Sequence, residues 1–259
     1  MIDRVYKLSG VRNFRDFGGY ASSYGGQVRQ GVLFRSGHYA EATADDISAV
    51  KDLNIALQAD LRRPDERERM TGKWSAPTTI THDGGRETDA PHTRFLQRVE
   101  ASAEAADSWM NDYYKLAPFK EHHVSMFGDW FTKLQALNTD EAGLVNCAAG
   151  KDRTGILCAL THHILGVSED DIVADYDLTN QAAEVDSRLQ EAADYFNDFL
   201  GKSYEPEVYR PFMGVHPRYL ETALATIKSE VGSIDTYLVE TLGVTQQMQD
   251  GLRARLING

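Results

Sequence analysis

The string CAAGKDRTG at residues 147–155 brings together the side chains in this sequence best suited to chemistry. The thiol of Cys147 and the guanidinium of Arg153 are separated by Ala148, Ala149, Gly150, Lys151 and Asp152. A loop of that length can curl around one tetrahedral oxyanion and aim its amides at three oxygens. Arg153 returns to the same centre and can fork two hydrogen bonds onto the anion. The amides, a helix start and the guanidinium all favour a thiolate, and a thiolate attacks at neutral pH without a separate base. The predicted chemistry is attack of Cys147 on phosphorus, with donors on the equatorial oxygens stabilising the transition state. This chemistry calls for no metal and no cofactor. Gly150 permits a backbone that would strain another residue. Thr154 can offer its hydroxyl to the thiolate, or merely cap the following helix. Cys158, further along, reads as a small buried residue.

Such a loop needs a strand before it and a helix after it, so that the helix N-terminus faces the anion. GLVNC (143–147) is a short apolar run, and Ile156, Leu157, Leu160, Ile164 and Leu165 recur at helical spacing until Gly166 stops them. Further strands are predicted at 32–35, in NIALQADLR ending near Leu61, and at 77–81. Thr43 with Asp46 marks a helix start before Ile47, Val50 and Leu53. PDERERM reads as a solvated helical start. Residues 93–137 are helical, with Trp109, Tyr113 and Leu116 on one face and Met126, Trp130, Phe131 and Leu134 on another. About 86–137 is thus either a helical lid insertion or a pair of core helices. Ser168 with Asp171 starts another helix. Pro217 precedes a stripe of Leu220, Ala223, Leu224, Ile227 and Val231, and short helices begin at Ser233 and Thr245. The fold class expected is α/β: one domain, 1–259, with a central mainly parallel sheet flanked by helices and a helical C-terminal tail.

Composition narrows the partners. A net charge of -12 on 259 residues opposes wrapping a nucleic-acid backbone. Two cysteines are too few for a disulfide scaffold. MIDRVYKLSG lacks the apolar stretch of a leader, and there is no run of 18 apolar residues. The expectation is a cytoplasmic protein with no integral membrane contact, leaderless secretion being the other route. Oligomeric state is not legible.

GVRNFRDFGGY, LFRSG, ADLR and NCAAGKDRTG occur in that order, followed by VHPRYLETALATIKSEVGSIDTYLVETLGV. Over roughly 8–257 this resembles the bacterial dual-specificity protein tyrosine phosphatases, within the cysteine phosphatase superfamily. The resemblance implies a parallel-sheet phosphatase fold, a phosphocysteine on Cys147 and phosphate binding by Arg153, without metal. It implies that Asp152 is the general acid. It also matches Lys151 to a loop lysine associated with broader substrates, including phosphoinositides, and Asp60 to a pocket aspartate. The chain departs from the family at Asn146, where a His usually precedes the nucleophile. Asn can donate and accept hydrogen bonds but carries no charge.

Several assignments compete. Beside a bound anion, like-charge repulsion favours the protonated form of Asp152 that an acid needs. Its rival role is a clamp on Arg15, Arg62 or another basic side chain, and Asp60 is the rival acid. Lys151 contacts the substrate anion or is a solvated charge. Arg12, Arg15 and Arg35 either frame an acidic product or, the reading preferred, anchor the N-terminal loop to sheet carboxylates. The resemblance places the segment of Asp175, Tyr176 and Asn180 near the site, whereas the sequence by itself leaves them as helix-surface residues. His122-His123 and His162-His163 are adjacent on helices and point apart, which does not make a metal site. The expected activity is hydrolysis of phosphotyrosine, on a phosphorylated protein. The alternatives are a phosphoinositide headgroup or small phosphoester as substrate, and a phosphate-binding module without turnover.

Overall fold

The structure, a computed structural model, describes residues 4–87, 91–98 and 101–259. Its first strand, β1 (Arg15–Asp16), follows the irregular N-terminal segment. β2 (Gln27–Val28) and β3 (Leu33–Ser36) come next. α1 (Ala44–Lys51) begins at Thr43 with the reciprocal capping box that the sequence predicts. The Asp46 carboxylate also accepts from the amides of Ser9 and Gly10, both at 2.8 Å, which pins the N-terminal segment to this helix. β4 (Ile55–Asp60), α2 (Pro64–Arg69) and β5 (Thr78–Ile80) follow.

Three helices precede the last main strand: α3 (Pro91–Arg98), α4 (Ala103–Leu116) and α5 (Glu121–Leu134). β6 (Ala142–Asn146) then leads through the Cys147 loop into α6 (Asp152–Ile164). The remainder is α7 (Glu169–Asp177), α8 (Thr179–Ala182), α9 (Val185–Leu200), α10 (Arg210–Met213), α11 (Pro217–Val231), α12 (Ile234–Thr236) and α13 (Gln246–Leu256). β7 (Ile257–Asn258) pairs back onto β2.

The main sheet runs β1-β3-β6-β4-β5. All its pairs are parallel except the β1–β3 edge. β6 lies at the centre and is buried on both faces, which is why GLVN reads as a continuous run rather than an alternation. Its side chains still alternate between two cores. Ala142 and Leu144 pack with Phe14, Phe34 and Val50 of α1. Val145 packs on the other face with α5, α6 and α11. Gly143 has no Cβ because Trp130 of α5 fills that space; an added Cβ would lie 2.6 Å from the indole.

Two helical assignments are corrected. The inward face of α4 is Ala106, Met110 and Tyr114, not Trp109, Tyr113 and Leu116, and Leu116 is 64% exposed. The α2 segment is not a solvated start, because Arg63, Asp65 and Glu66 are all buried. Residues 185–213, unassigned from the sequence, form α9 and α10. These enclose a second small core with α3 and α4, built on Leu96, Leu189 and Tyr209. Within the 86–137 segment, residues 88–90 and 99–100 lie outside the described residues. α5 belongs to the central core, while α4 contributes one wall of the site below. Among the described residues no helix is long and apolar enough to cross a membrane.

Candidate active site

Cys147 sits at the C-terminal edge of the central strand, one residue beyond β6 and 1% exposed. Parallel pairing sets Ser36 of β3 and Asp60 of β4 level with Asn146, so three strand ends open on the same place. The loop then turns at Gly150 with φ 69°. A Cβ there would lie 2.3 Å from the Ser36 carbonyl, so only glycine lets the loop close against β3.

The loop carbonyls are held from outside. The Asn13 side-chain amide donates to the carbonyls of Ala149 at 3.3 Å and Gly150 at 2.8 Å, and Arg35 also donates to Gly150 at 3.1 Å. Asn13 itself adopts φ 57°, a conformation Asn tolerates better than most residues. Among the described residues, the backbone N–H groups of 148–153 donate to no protein acceptor. A run of unspent amides at a helix N-terminus is an anion cradle.

Arg153 completes it. Glu66 of α2 takes its Nη1 at 2.6 Å and its Nη2 at 2.9 Å, and the Leu61 carbonyl takes Nη1 at 2.9 Å. Three of the five guanidinium protons are thereby used. The remaining two, on Nε and Nη2, share one edge and are left for two anion oxygens. Burial raises the Glu66 carboxyl, but the Arg153 charge outweighs it and holds the group at about 2. Glu66 also accepts from the Arg63 amide at 2.8 Å. The sequence reading missed Glu66. Its signal was present, since Pro64 followed by Glu66 is the helix-start pattern in which the third residue folds back onto the cap.

The other expected residues divide. Asp152 is at the site and accepts at Oδ1 from Tyr114 (2.7 Å), with Lys151 Nζ at 3.3 Å. It clamps neither Arg15 nor Arg62. Lys151 is buried and donates to the carbonyls of Pro211 at 3.1 Å and Gly214 at 3.0 Å. Its ammonium ties the loop to the end of α10, and Lys151 also lines the cavity described below. Asp60 is engaged by Arg62, whose Nε and Nη2 donate at 2.8 and 2.6 Å. Asn146 joins neighbouring strand ends, accepting from Gln58 at 2.8 Å and donating to Asp60 at 3.2 Å. The hydroxyl of Thr154 is buried with no partner among the described residues. Burial pushes the Cys158 thiol up to about 12.

Asp175 and Tyr176 are not on a helix surface; both are 1% exposed. Asp175 binds Arg35 at 2.7 Å and Arg15 at 3.4 Å, so these arginines anchor to a helix and not to sheet carboxylates. Both guanidiniums hold its carboxyl far below the usual range against the pull of burial. Arg12 is exposed. Asn180 accepts from the Val215 amide and donates to its carbonyl, docking the segment after α10.

Above Cys147 lies a cavity of about 150 Å³. Its floor is the loop, its rim carries Arg63 and Glu66, and its walls are Trp109, Met110, Tyr113 and Phe212. A cleft of about 840 Å³ elsewhere, between the N-terminal segment and α7–α8, is larger but contains neither the nucleophile nor the cradle. The smaller cavity is where an anion and a thiol can meet.

A family model described as the tyrosine phosphatase family matches residues 6–258. A Cupriavidus necator protein, provisionally named a tyrosine-protein phosphatase, is 32% identical over 90% of this chain and 82% of its own. The triple specificity protein phosphatase PtpB of Mycobacterium tuberculosis is 28% identical over 98% of this chain and 99% of its own. A tyrosine-protein phosphatase of Nostoc commune is 27% identical over 87% and 74%.

Proposed function

The chain belongs to the tyrosine phosphatase family, hydrolases of phosphoric monoesters, and on that footing we propose that Cys147 is its nucleophile and phosphotyrosine its leading substrate. The observation that carries this reading is Cys147 on the floor of an aromatic-walled cavity, between unspent loop amides and the free edge of Arg153. The Cys147 sulfur attacks phosphorus, the S–P bond forms and the P–O bond to the leaving group breaks. Asp152 gives its proton to the departing oxygen. A water then attacks phosphorus, its proton passes to Asp152, and the S–P bond breaks to release phosphate. The unpartnered hydroxyl of Thr154 is suited to steady the thiolate as it leaves.

Tyr113, Trp109 and Phe212 favour an aryl ester over a short alkyl one, because a ring buries more apolar area between them. The Mycobacterium relative is named for triple specificity, and the alternatives weighed for this chain make phosphoserine, phosphothreonine and phosphoinositides the comparison substrates. The test is turnover by wild type and Cys147→Ser over phosphotyrosine peptide, phosphoserine peptide and phosphoinositide. We expect phosphotyrosine to be turned over fastest. Cys147→Ser should lose all turnover while still binding vanadate. Residual turnover within tenfold of wild type would overturn the nucleophile, and a faster phosphoinositide reaction would overturn the substrate ranking.

A further inference from the structure

Two buried tyrosines meet the proposed acid from behind. The Tyr114 hydroxyl of α4 donates to Asp152 Oδ1 at 2.7 Å, and lies 2.6 Å from the Tyr176 hydroxyl of α7. Tyr114 has one proton and commits it to Asp152, so Tyr176 must be the donor between the two phenols. Both are fully buried, and burial raises each phenol well above its ordinary value, with the Asp152 charge adding to the rise. They therefore keep their protons and act as donors. Tyr114 is itself fixed, its ring stacked on Tyr219 of α11 at 5.5 Å. Around Asp152 the charged and titratable groups are Lys151 and Arg153 of the loop, Tyr113 and Tyr114 of α4, Tyr176 of α7 and Tyr219 of α11.

Both side chains that engage Asp152 do so at Oδ1, Tyr114 by a hydrogen bond and Lys151 as an ion pair at 3.3 Å. Its Oδ2 has no partner among the described residues, and Asp152 lines the cavity. We propose that Tyr114, backed by Tyr176, is a positioning residue that fixes Asp152 so that Oδ2 alone carries the proton delivered to the leaving oxygen. An O–H donor on Oδ1 opposes protonation there and holds the carboxyl plane. It also stabilises the carboxylate that remains after the proton has gone from Oδ2 to the leaving oxygen. This rests on the assignment of Asp152 as the acid.

The experiment measures kcat and KM for aryl phosphates of graded leaving-group pKa with wild type, Tyr114→Phe, Tyr176→Phe and Asp152→Asn. The ratio of kcat between poor and good leaving groups is independent of the fraction of folded enzyme. For Tyr114→Phe we expect kcat to fall about tenfold on phenyl-type esters and much less on nitrophenyl phosphate, with KM little changed. Tyr176→Phe should show the same pattern more weakly. Tyr114→Phe in an Asp152→Asn background should add no further leaving-group dependence. A steep dependence in Asp152→Asn with a uniform loss, or none, in Tyr114→Phe overturns the positioning role and leaves the acid standing. A flat dependence in Asp152→Asn overturns the acid, and the positioning role with it.

Discussion

Lysine in place of Arg153 keeps the charge and loses the planar fork that meets Glu66 on one edge and an anion on the other. Arg153→Lys should lower kcat roughly 100-fold, as loss of a transition-state donor does, and unchanged turnover would mean that phosphate sits elsewhere. The two candidate acids differ as sharply. Asp60 is committed to Arg62 and Asn146, whereas Asp152 lines the cavity. Asp60→Asn is therefore expected to give a loss that does not depend on the leaving group, measured over the same ester series. A steep dependence there would move the acid to Asp60. The two thiols should also separate. Cys158 is pushed up to about 12 by burial and stays protonated at neutral pH. Mass spectrometry after brief treatment with iodoacetate should find the label on Cys147, and modification of Cys158 first would contradict this reading.

Elements matter through the way that they clamp the loop. Asn13, ahead of β1, and Arg35 in β3 take the loop carbonyls and leave the amides facing inward. Asn13→Ala removes one clamp, leaving Gly150 with Arg35 alone and Ala149 to solvent, at a cost of about 1 kcal/mol. We expect a kcat reduced about tenfold and a lower midpoint in urea; full activity would show that the loop holds its shape unaided. Gly150→Ala is harsher, since the methyl meets the Ser36 carbonyl and φ is positive. Asn146 works at the same scale. It laces β4 to β6 through Gln58 and Asp60, so its influence on the nucleophile passes through strand alignment.

The whole molecule responds to acid through the groups that the fold has shifted. Burial is the leading cause of the fall of His122 to about 4, and of the larger fall of His123 and the lesser one of His162. These rings stay neutral in the folded protein while the unfolded chain protonates below 6.5, so stability declines as pH falls from there. Glu66 acts in a second window. Its folded value of about 2 lies below its ordinary 4.5, so its contribution is complete above 4.5 and disappears as pH falls toward 2. Both windows have the same sign. Urea unfolding should therefore show stability decreasing as pH falls from 6.5 toward 3, and Glu66→Gln should flatten the part below 4.5. A stability maximum near pH 4 would contradict this account.

Local chemistry was legible in the sequence wherever neighbours in the chain decide the outcome. Cys147, Gly150 and Arg153 share one loop, the capping box at Thr43 and the N-cap at Ser168 are closed within a turn, and the strand before Cys147 is a short apolar run. That was enough for the α/β class and for the nucleophile proposed here. Glu66, Asn13 and Tyr114 reach the loop across 87, 136 and 38 residues, counted to Arg153, Ala149 and Asp152, and Asp175 reaches Arg35 of β3 across 140. In a linear reading each was an ordinary polar residue, and Asp175 taken from the sequence by itself read as a helix-surface residue. The fold buries it against two arginines, and an ion pair of that kind is unreadable until both partners have been brought out of water together. Lys151 shows the same limit from the other side: its type suggested an anion, but tertiary packing delivered two carbonyls to it first. Sequence spacing determined which atoms could react; packing decided which of their hydrogen bonds were already taken, because each donor is spent on whatever acceptor the fold places nearest.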